Sequence, residues 1–184
     1  MAAPMLLRPA TPADIVPLAD LGRRAFVAAF GHMYRLEDLA TFLADNHSEA
    51  KVARELVDPN VAICLAERDG ILLGFCKLAL DSTLPRHSDA LRPLELKQLY
   101  CDPDVLSQGI GGRLTDWVFE QARARAADAV ELSVWSGNTR GQAFYARYGM
   151  AKVADFEFWV GTHCDHEFLF SVKLEGSAAV DTGV

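Results

Sequence analysis

The sequence predicts one domain of the α/β (α+β) class, with helices first and then a mixed sheet into which two further helices are inserted. Three observations carry this. Apolar residues keep helical spacing through the N-terminal third; two apolar runs flank Asp69-Gly70, a tight-hairpin signal; and the glycine-rich stretch "SQGIGGRL", Ser107 to Leu114, joins a strand-like run to an amphipathic segment. The domain is expected over residues 1–174, with a flexible C-terminal tail at 175–184, "EGSAAVDTGV".

Taken in order, "TPADIVPLADLGRRAFVAAF" opens on a capping pattern: Thr11, then Pro12 at the first helical position, then Asp14. Ile15, Leu18, Gly22, Phe26 and Phe30 follow at helical spacing. "RLEDLATFLADN" and "SEAKVARELV" read as two more helices, the second capped by Ser48. "NVAICLAERDGILLGFCKLAL" is a hairpin, "DSTLPRHSDALRP" a polar loop, and "LELKQLYC" a strand ending at Asp102-Pro103. In the helix after the glycines, Ile110, Leu114, Trp117 and Val118 face one way, and Arg113, Asp116, Glu120 and Arg123 the other. "AVELSVW" alternates Val130, Leu132 and Val134 inward. "NTRGQAFYARYG" is a short helix closed by Gly149. "AKVADFEFWV" and "HEFLFSVKL" are the final strands, with Phe168, Phe170, Val172 and Leu174 on one face as core.

The chain's 184 residues can bury a substantial core, and its 51% hydrophobic and 23% charged content is that of an ordinary globular domain. A net charge of −7 argues against a nucleic-acid partner. No apolar run of about 18 residues is present, so no membrane span is expected. Cys64, Cys76, Cys101 and Cys164 form no C-x-x-C, and the N-terminus lacks the pattern of a secretory signal. They read as reduced thiols in a cytoplasmic protein. The "HCDH" run, His163 to His166, lacks a further ligand at metal-site spacing and reads as a loop into the last strand, so no metal is expected.

The glycines admit two readings. They make a tight strand-to-helix turn, or they bare the backbone so that an anion can reach the unpaired N–H groups at a helix start. No Lys-Ser/Thr follows Gly112, so the stretch is not a Walker A loop, and no acidic residue completes a dinucleotide fingerprint.

The residues around them decide the matter. "LYCDPDVLSQGIGGRL" followed by "ELSVWSGNTRGQAFYARYGM" resembles the two signature segments of the GNAT N-acetyltransferase superfamily, and the resemblance runs from about Arg8 to Leu174. The family's Gln/Arg-x-x-Gly-x-Gly/Ala motif matches Gly109 and Gly111, with Leu106 standing where Gln or Arg is usual. Its Asn-x-x-Ala/Gly-x-x-Phe-Tyr motif matches Asn138, Gly141, Phe144 and Tyr145, with Gly149-Met150 after it. The resemblance implies a mixed, mostly antiparallel central sheet flanked by helices, and acetyl-CoA as cosubstrate. It implies that the coenzyme lies along Leu99, Tyr100, Cys101, Ser107, Gln108, Gly109, Ile110, Gly111, Gly112, Asn138 and Phe144. Arg147 can reach the phosphates or stand as an ordinary solvated arginine.

Amine acetylation needs a neutral amine and a proton for the departing thiolate. An alkylamine titrates near 10.4, so freeing its lone pair at neutral pH costs about 4.6 kcal/mol, and a proton acceptor is called for. Glu95 stands where several GNAT enzymes have their base; the alternative is a glutamate that only solvates Lys97. Tyr145 suits the acid, against the alternative of a core aromatic beside Phe144.

"AFVAAFGHMYRLEDLATFLADNHSEAKVARELVDPN" and the C-terminal third resemble the spermidine/spermine N-acetyltransferase branch. The expected acceptor is therefore a primary amine, a polyamine or other small molecule. Glu37, Asp38, Asp45, Glu49 and Glu55 either attract that polycation or form a solvated helix face. Protein or peptide acetylation and a non-catalytic acyl-CoA-binding module are the alternatives. The apolar final strands offer a surface for a homodimer.

Overall fold

A computed structural model describes residues 3–174; the tail expected at 175–184 lies outside the described residues. The chain runs β1 (Leu6–Pro9), α1 (Ile15–Phe30), α2 (Leu36–Asn46), α3 (Glu49–Leu56), β2 (Val61–Arg68), β3 (Ile71–Ala79), β4 (Pro93–Cys101), α4 (Ile110–Ala124), β5 (Ala129–Trp135), α5 (Thr139–Ala146), β6 (Ala151–Val160) and β7 (His163–Lys173). Seven strands form one sheet in the order β1-β2-β3-β4-β5-β7-β6. Every neighbouring pair is antiparallel except β4 and β5.

Local chemistry accounts for most of these elements. Asp69 and Gly70 both take positive φ, 53° and 75°, as a two-residue turn between twisted strands requires. Ser48 caps α3 by accepting a hydrogen bond from Lys51 N–H. Asp14 accepts from the Thr11 N–H and hydroxyl, at 2.7 and 2.8 Å, across a short 3-10 turn that leads into α1.

The sheet is covered on both sides. Leu18, Leu21 and Val52 of the N-terminal helices pack on Ile63, Leu65 and Phe75. On the other face Leu114 and Val118 of α4 pack on Cys64, Leu78, Leu94, Val130, Leu132 and Phe170. Val130, Leu132 and Val134 are buried, and Phe168, Val172 and Leu174 pack against this second core as the alternation requires. Among the described residues no helix is long and apolar enough to cross a membrane.

Two elements depart from the sequence reading. A strand precedes the helices: β1 is four residues long, ends in a proline and gains its identity only by pairing with β2, helped by Arg8, which binds both Asp14 and Glu67. The "HCDH" run is strand rather than loop, because Gly161 (φ 58°) and Thr162 turn β6 directly into β7 and His163 pairs with Val160. Asp38 of α2 fixes that turn by accepting from the Thr162 N–H and hydroxyl.

One pairing positions everything that follows. β4 and β5 are in register only over Pro93–Glu95 and Ala129–Glu131, whereas both strands continue beyond, to Cys101 and Trp135. β4 shifts register against β3 at Lys77 and Leu78, where Lys97 is the extra residue. Past that point the two strands part, and a gap opens through the sheet.

Candidate functional site

On the α4 side of the gap lies a groove of about 640 Å³ built on the glycine stretch. β4 ends at Cys101, and the carboxylate of the next residue, Asp102, accepts from Asp104 N–H and sets a short turn. Ser107 then takes a positive φ of 68°, Gly109 one of 77°, and α4 starts at Ile110. The first N–H groups of α4 have no partner within the helix, and they sit at the positive end of its dipole. The groove is lined by Leu99 and Cys101 of β4, by Leu106, Ser107, Gly109, Ile110, Gly111 and Gly112 of the loop and helix start, and by Asn138, Phe144, Tyr145 and Arg147 of α5 and its flanks. Cys101 is an apolar lining group, its thiol pushed up to about 11 by burial.

A Cβ on Gly111 would meet Cys101 Sγ and the Phe144 ring at 3.8 Å, ordinary contact distances. The fold therefore does not demand glycine there, and the bare backbone is directed at the groove. Arg147 lies over the Phe144 ring at 5.2 Å, and Arg140, which the sequence reading did not select, donates to Ser107 Oγ at 3.1 Å. Two arginines thus border an anion-ready helix start.

Leu99, Asn138 and Tyr145 also line a second cavity, of about 410 Å³, on the other side of the gap. The two cavities meet at these three residues. Asn138 caps α5 by accepting from Gly141 N–H at 2.8 Å, and Gly141 has no room for a Cβ beside that amide. The cap fixes where α5 begins and hence where Tyr145 points. Burial raises the Tyr145 phenol well above its ordinary range, so it stands protonated.

Aromatic rings wall this second cleft. Phe26 stacks on Phe42 at 4.6 Å, Phe42 meets Phe158 edge-on at 5.9 Å, and Phe30 meets Trp135 at 6.4 Å. Polar groups line it as well: Glu55, Glu95 and Glu167 are matched by Lys51, Lys77 and Lys97. Lys77 is buried and donates to Glu55 at 2.5 Å; burial lowers its pKa and Glu55 opposes that. Glu95 is 6% exposed; its Oε2 accepts from the Thr83 N–H and hydroxyl at 2.8 and 2.6 Å, and Lys97 stands 3.5 Å from Oε1. Glu95 thus pairs with Lys97 and also lines the cleft.

Most of the expected residues converge. Leu99, Cys101, Ser107, Gly109, Ile110, Gly111, Gly112, Asn138, Phe144, Tyr145 and Arg147 share the groove. Tyr100 and Gln108 are not among its lining residues. Strand alternation sends the Tyr100 ring to the opposite face, against Phe75 and His47, where it lines the second cleft. Gln108 turns outward to accept from Arg68 at 3.1 Å. Of the five helix carboxylates singled out for a polycation, Glu55 lines the cleft, tied to Lys77, while Asp38 is spent on the Thr162 turn.

The sequence reading missed Trp135, Phe156, Phe158 and Glu167. The signal for the two phenylalanines is present, since Ala154, Phe156, Phe158 and Val160 alternate on one face of β6. Glu167 has no such local signal.

A model of the acetyltransferase (GNAT) family matches residues 27–150. An uncharacterised N-acetyltransferase of Mycobacterium bovis is 32% identical over 165 residues, covering 88% of this chain and 98% of that one. The aminoalkylphosphonate N-acetyltransferase of Salmonella typhimurium is 31% identical over 147 residues, covering 79% of this chain and 92% of its own. The crystal structure of the PaiA N-acetyltransferase from Thermoplasma acidophilum, in complex with coenzyme A, matches with a TM-score of 0.75 at 20% identity, covering 93% of this chain and 99% of that one. At that identity the likeness is one of fold.

Proposed function

The chain belongs to the acetyltransferase (GNAT) family, and on that premise we propose that it moves the acetyl group of acetyl-CoA to the primary amine of a small molecule. The observation that carries this reading is the meeting of two cavities at Leu99, Asn138 and Tyr145, where β4 and β5 part. A phosphate-bearing cosubstrate suits the groove, with its helix N-terminus and bordering arginines. An amine suits the aromatic cleft, and the reaction belongs at the junction.

In this reading the α4 backbone and Ser107 hold pyrophosphate oxygens, and Leu99 and Cys101 flank the acyl-bearing arm. The amine loses a proton to a carboxylate of the cleft, Glu95 standing at the position the resemblance assigns to the base. The nitrogen attacks the thioester carbon, the C–S bond breaks, and Tyr145 gives its proton to the departing thiolate and regains one from the acylated nitrogen. Leu106 supplies no polar group where the family usually has one, so the grip on the coenzyme there falls to the backbone.

For the acceptor, the lining supports an amine with an apolar or aromatic body. The resemblance to the spermidine/spermine branch argues for a polyamine, but three lysines offset the cleft's three glutamates, leaving little net field for a polycation. The relative that acts on aminoalkylphosphonates brings a further class, for which Lys51 and Lys97 supply positive charge.

The test is kcat/KM with acetyl-CoA for 2-phenylethylamine, spermidine, 2-aminoethylphosphonate and a short peptide amine, with calorimetry of coenzyme A. The expected order puts phenylethylamine first. Spermidine first, with the advantage eroded by salt, would restore the polyamine reading. A preferred peptide would move the acceptor to protein, and no binding of coenzyme A would sink the proposal altogether.

A further inference from the structure

The aromatic cleft holds a carboxylate that the mechanism above leaves unused. Glu167 on β7 is in register with Trp135 on β5 and Phe156 on β6, so these three side chains stand in one row across the sheet. All three line the cleft together with Tyr145. Glu167 Oε2 is shut off from solvent and has no hydrogen-bond partner among the described residues. A carboxylate in that condition carries a desolvation cost that folded proteins ordinarily remove by pairing it. Its last torsion is soft and two-fold, so either oxygen can turn to the cleft. Glu95 is in the opposite condition, because Thr83 and Lys97 already occupy its oxygens.

We propose that Glu167 is the catalytic residue that seats the acceptor's ammonium group and takes its proton, with Trp135 and Phe156 flanking the cation, while Glu95 is a positioning residue that holds Thr83. This rests on the acetyltransferase reading. The ring faces attract a cation, and the carboxylate neutralises it. The ammonium passes one proton to Glu167, and the neutral nitrogen forms a bond to the thioester carbon. The C–S bond breaks, and the thiolate takes the Tyr145 proton. The acylated nitrogen gives its surplus proton to the tyrosine oxygen, and Glu167 releases the first proton to solvent.

Burial raises the Glu167 carboxyl above its ordinary range; the Ser133 hydroxyl opposes this and Asp165 adds to it. That narrows the gap to an alkylammonium and makes the transfer less uphill. The titratable groups that face Glu167 include Asp165 on its own strand, with His163 3.1 Å from it, Tyr34, which binds Asp165 and also feels Glu167, Tyr100 on β4, and Tyr145 of α5 in the same cleft. Glu95 and Lys97 share the cleft.

The test compares Glu167→Gln and Glu95→Gln in the full chain, with acetyl-CoA and 2-phenylethylamine. Glu167→Gln is expected to lower kcat/KM about 10²-fold at neutral pH, the loss shrinking as pH rises toward the amine's own pKa. Coenzyme A affinity by calorimetry should stay within about twofold, and the melting temperature should hold or rise, since a buried carboxylate with one unpartnered oxygen has been replaced by a neutral amide. A Glu167→Gln enzyme with wild-type kcat/KM, or one whose loss is unaltered by pH, overturns the assignment, as does loss of the acidic limb in Glu95→Gln alone. A wild-type protein that binds coenzyme A but whose Glu167→Gln form fails in this way leaves the acetyltransferase reading standing. One that neither binds coenzyme A nor acetylates any amine overturns both.

Discussion

Tyr145 shows how far a single side chain depends on its surroundings. Its phenol is kept protonated by burial among the walls of both cavities, which is the state an acid must start from. Tyr145→Phe keeps the ring against Phe144, 5.2 Å away, and removes only the proton. The expected result is a kcat lower by about 10²-fold with coenzyme A affinity unchanged, read by steady-state kinetics and calorimetry. Asp14 gives a prediction of a different kind. Its carboxylate is held well below the usual aspartate range, first by the hydrogen bond from Arg8 and then by Thr11. A depressed pKa means stabilisation that is present above the unfolded value, near 3.9, and lost as pH falls through the folded one. Asp14→Asn should cost about 1.5–3 kcal/mol at neutral pH by urea unfolding. The gap to wild type should close progressively below about pH 5, and a gap that stays constant to acid would remove Asp14 from the acid sensitivity.

At the scale of elements, the glycine loop separates two demands that one motif combines. Gly109 has open space where a Cβ would go but a φ of 77°, so Gly109→Ala pays in backbone strain, about 1–2 kcal/mol of stability. Gly111 sits in the first turn of α4 with ordinary contacts around an added Cβ, so Gly111→Val should leave the melting temperature nearly unchanged. Its branches would project toward the groove, and coenzyme A binding should weaken about tenfold or more. Native affinity in Gly111→Val would mean that no phosphate approaches this turn. Such elements were legible because their chemistry is local: Asp69-Gly70, the Ser48 cap, the glycine loop and the Asn138-to-Tyr145 spacing each announce themselves within a few residues. β1 was not, because four residues ending in Pro9 become a strand only against β2. Glu167 was not, because its environment is assembled from β5 and β6, and nothing in "DHEFLF" distinguishes it from a solvated glutamate.

At the scale of the whole molecule, the seven-stranded sheet is two sheets joined by a short seam, β1 to β4 on one side and β5, β7 and β6 on the other. Beyond Glu95 and Glu131, β4 and β5 each turn an edge of main-chain amides and carbonyls toward the gap. Unpaired strand edges want a partner, and the arm of coenzyme A carries amides of its own. A ligand that laces the halves together also stabilises them, by about 2.7 kcal/mol at a hundred times its Kd. That gain should register as a higher melting temperature. Deuterium uptake followed by mass spectrometry supplies the sharper view: in peptides covering residues 97–101 and 132–135, the amides that face the gap and are not bonded to β3 or β7 should exchange more slowly once coenzyme A is added. The opening in the sheet would then be a clasp, and the cosubstrate the pin that closes it.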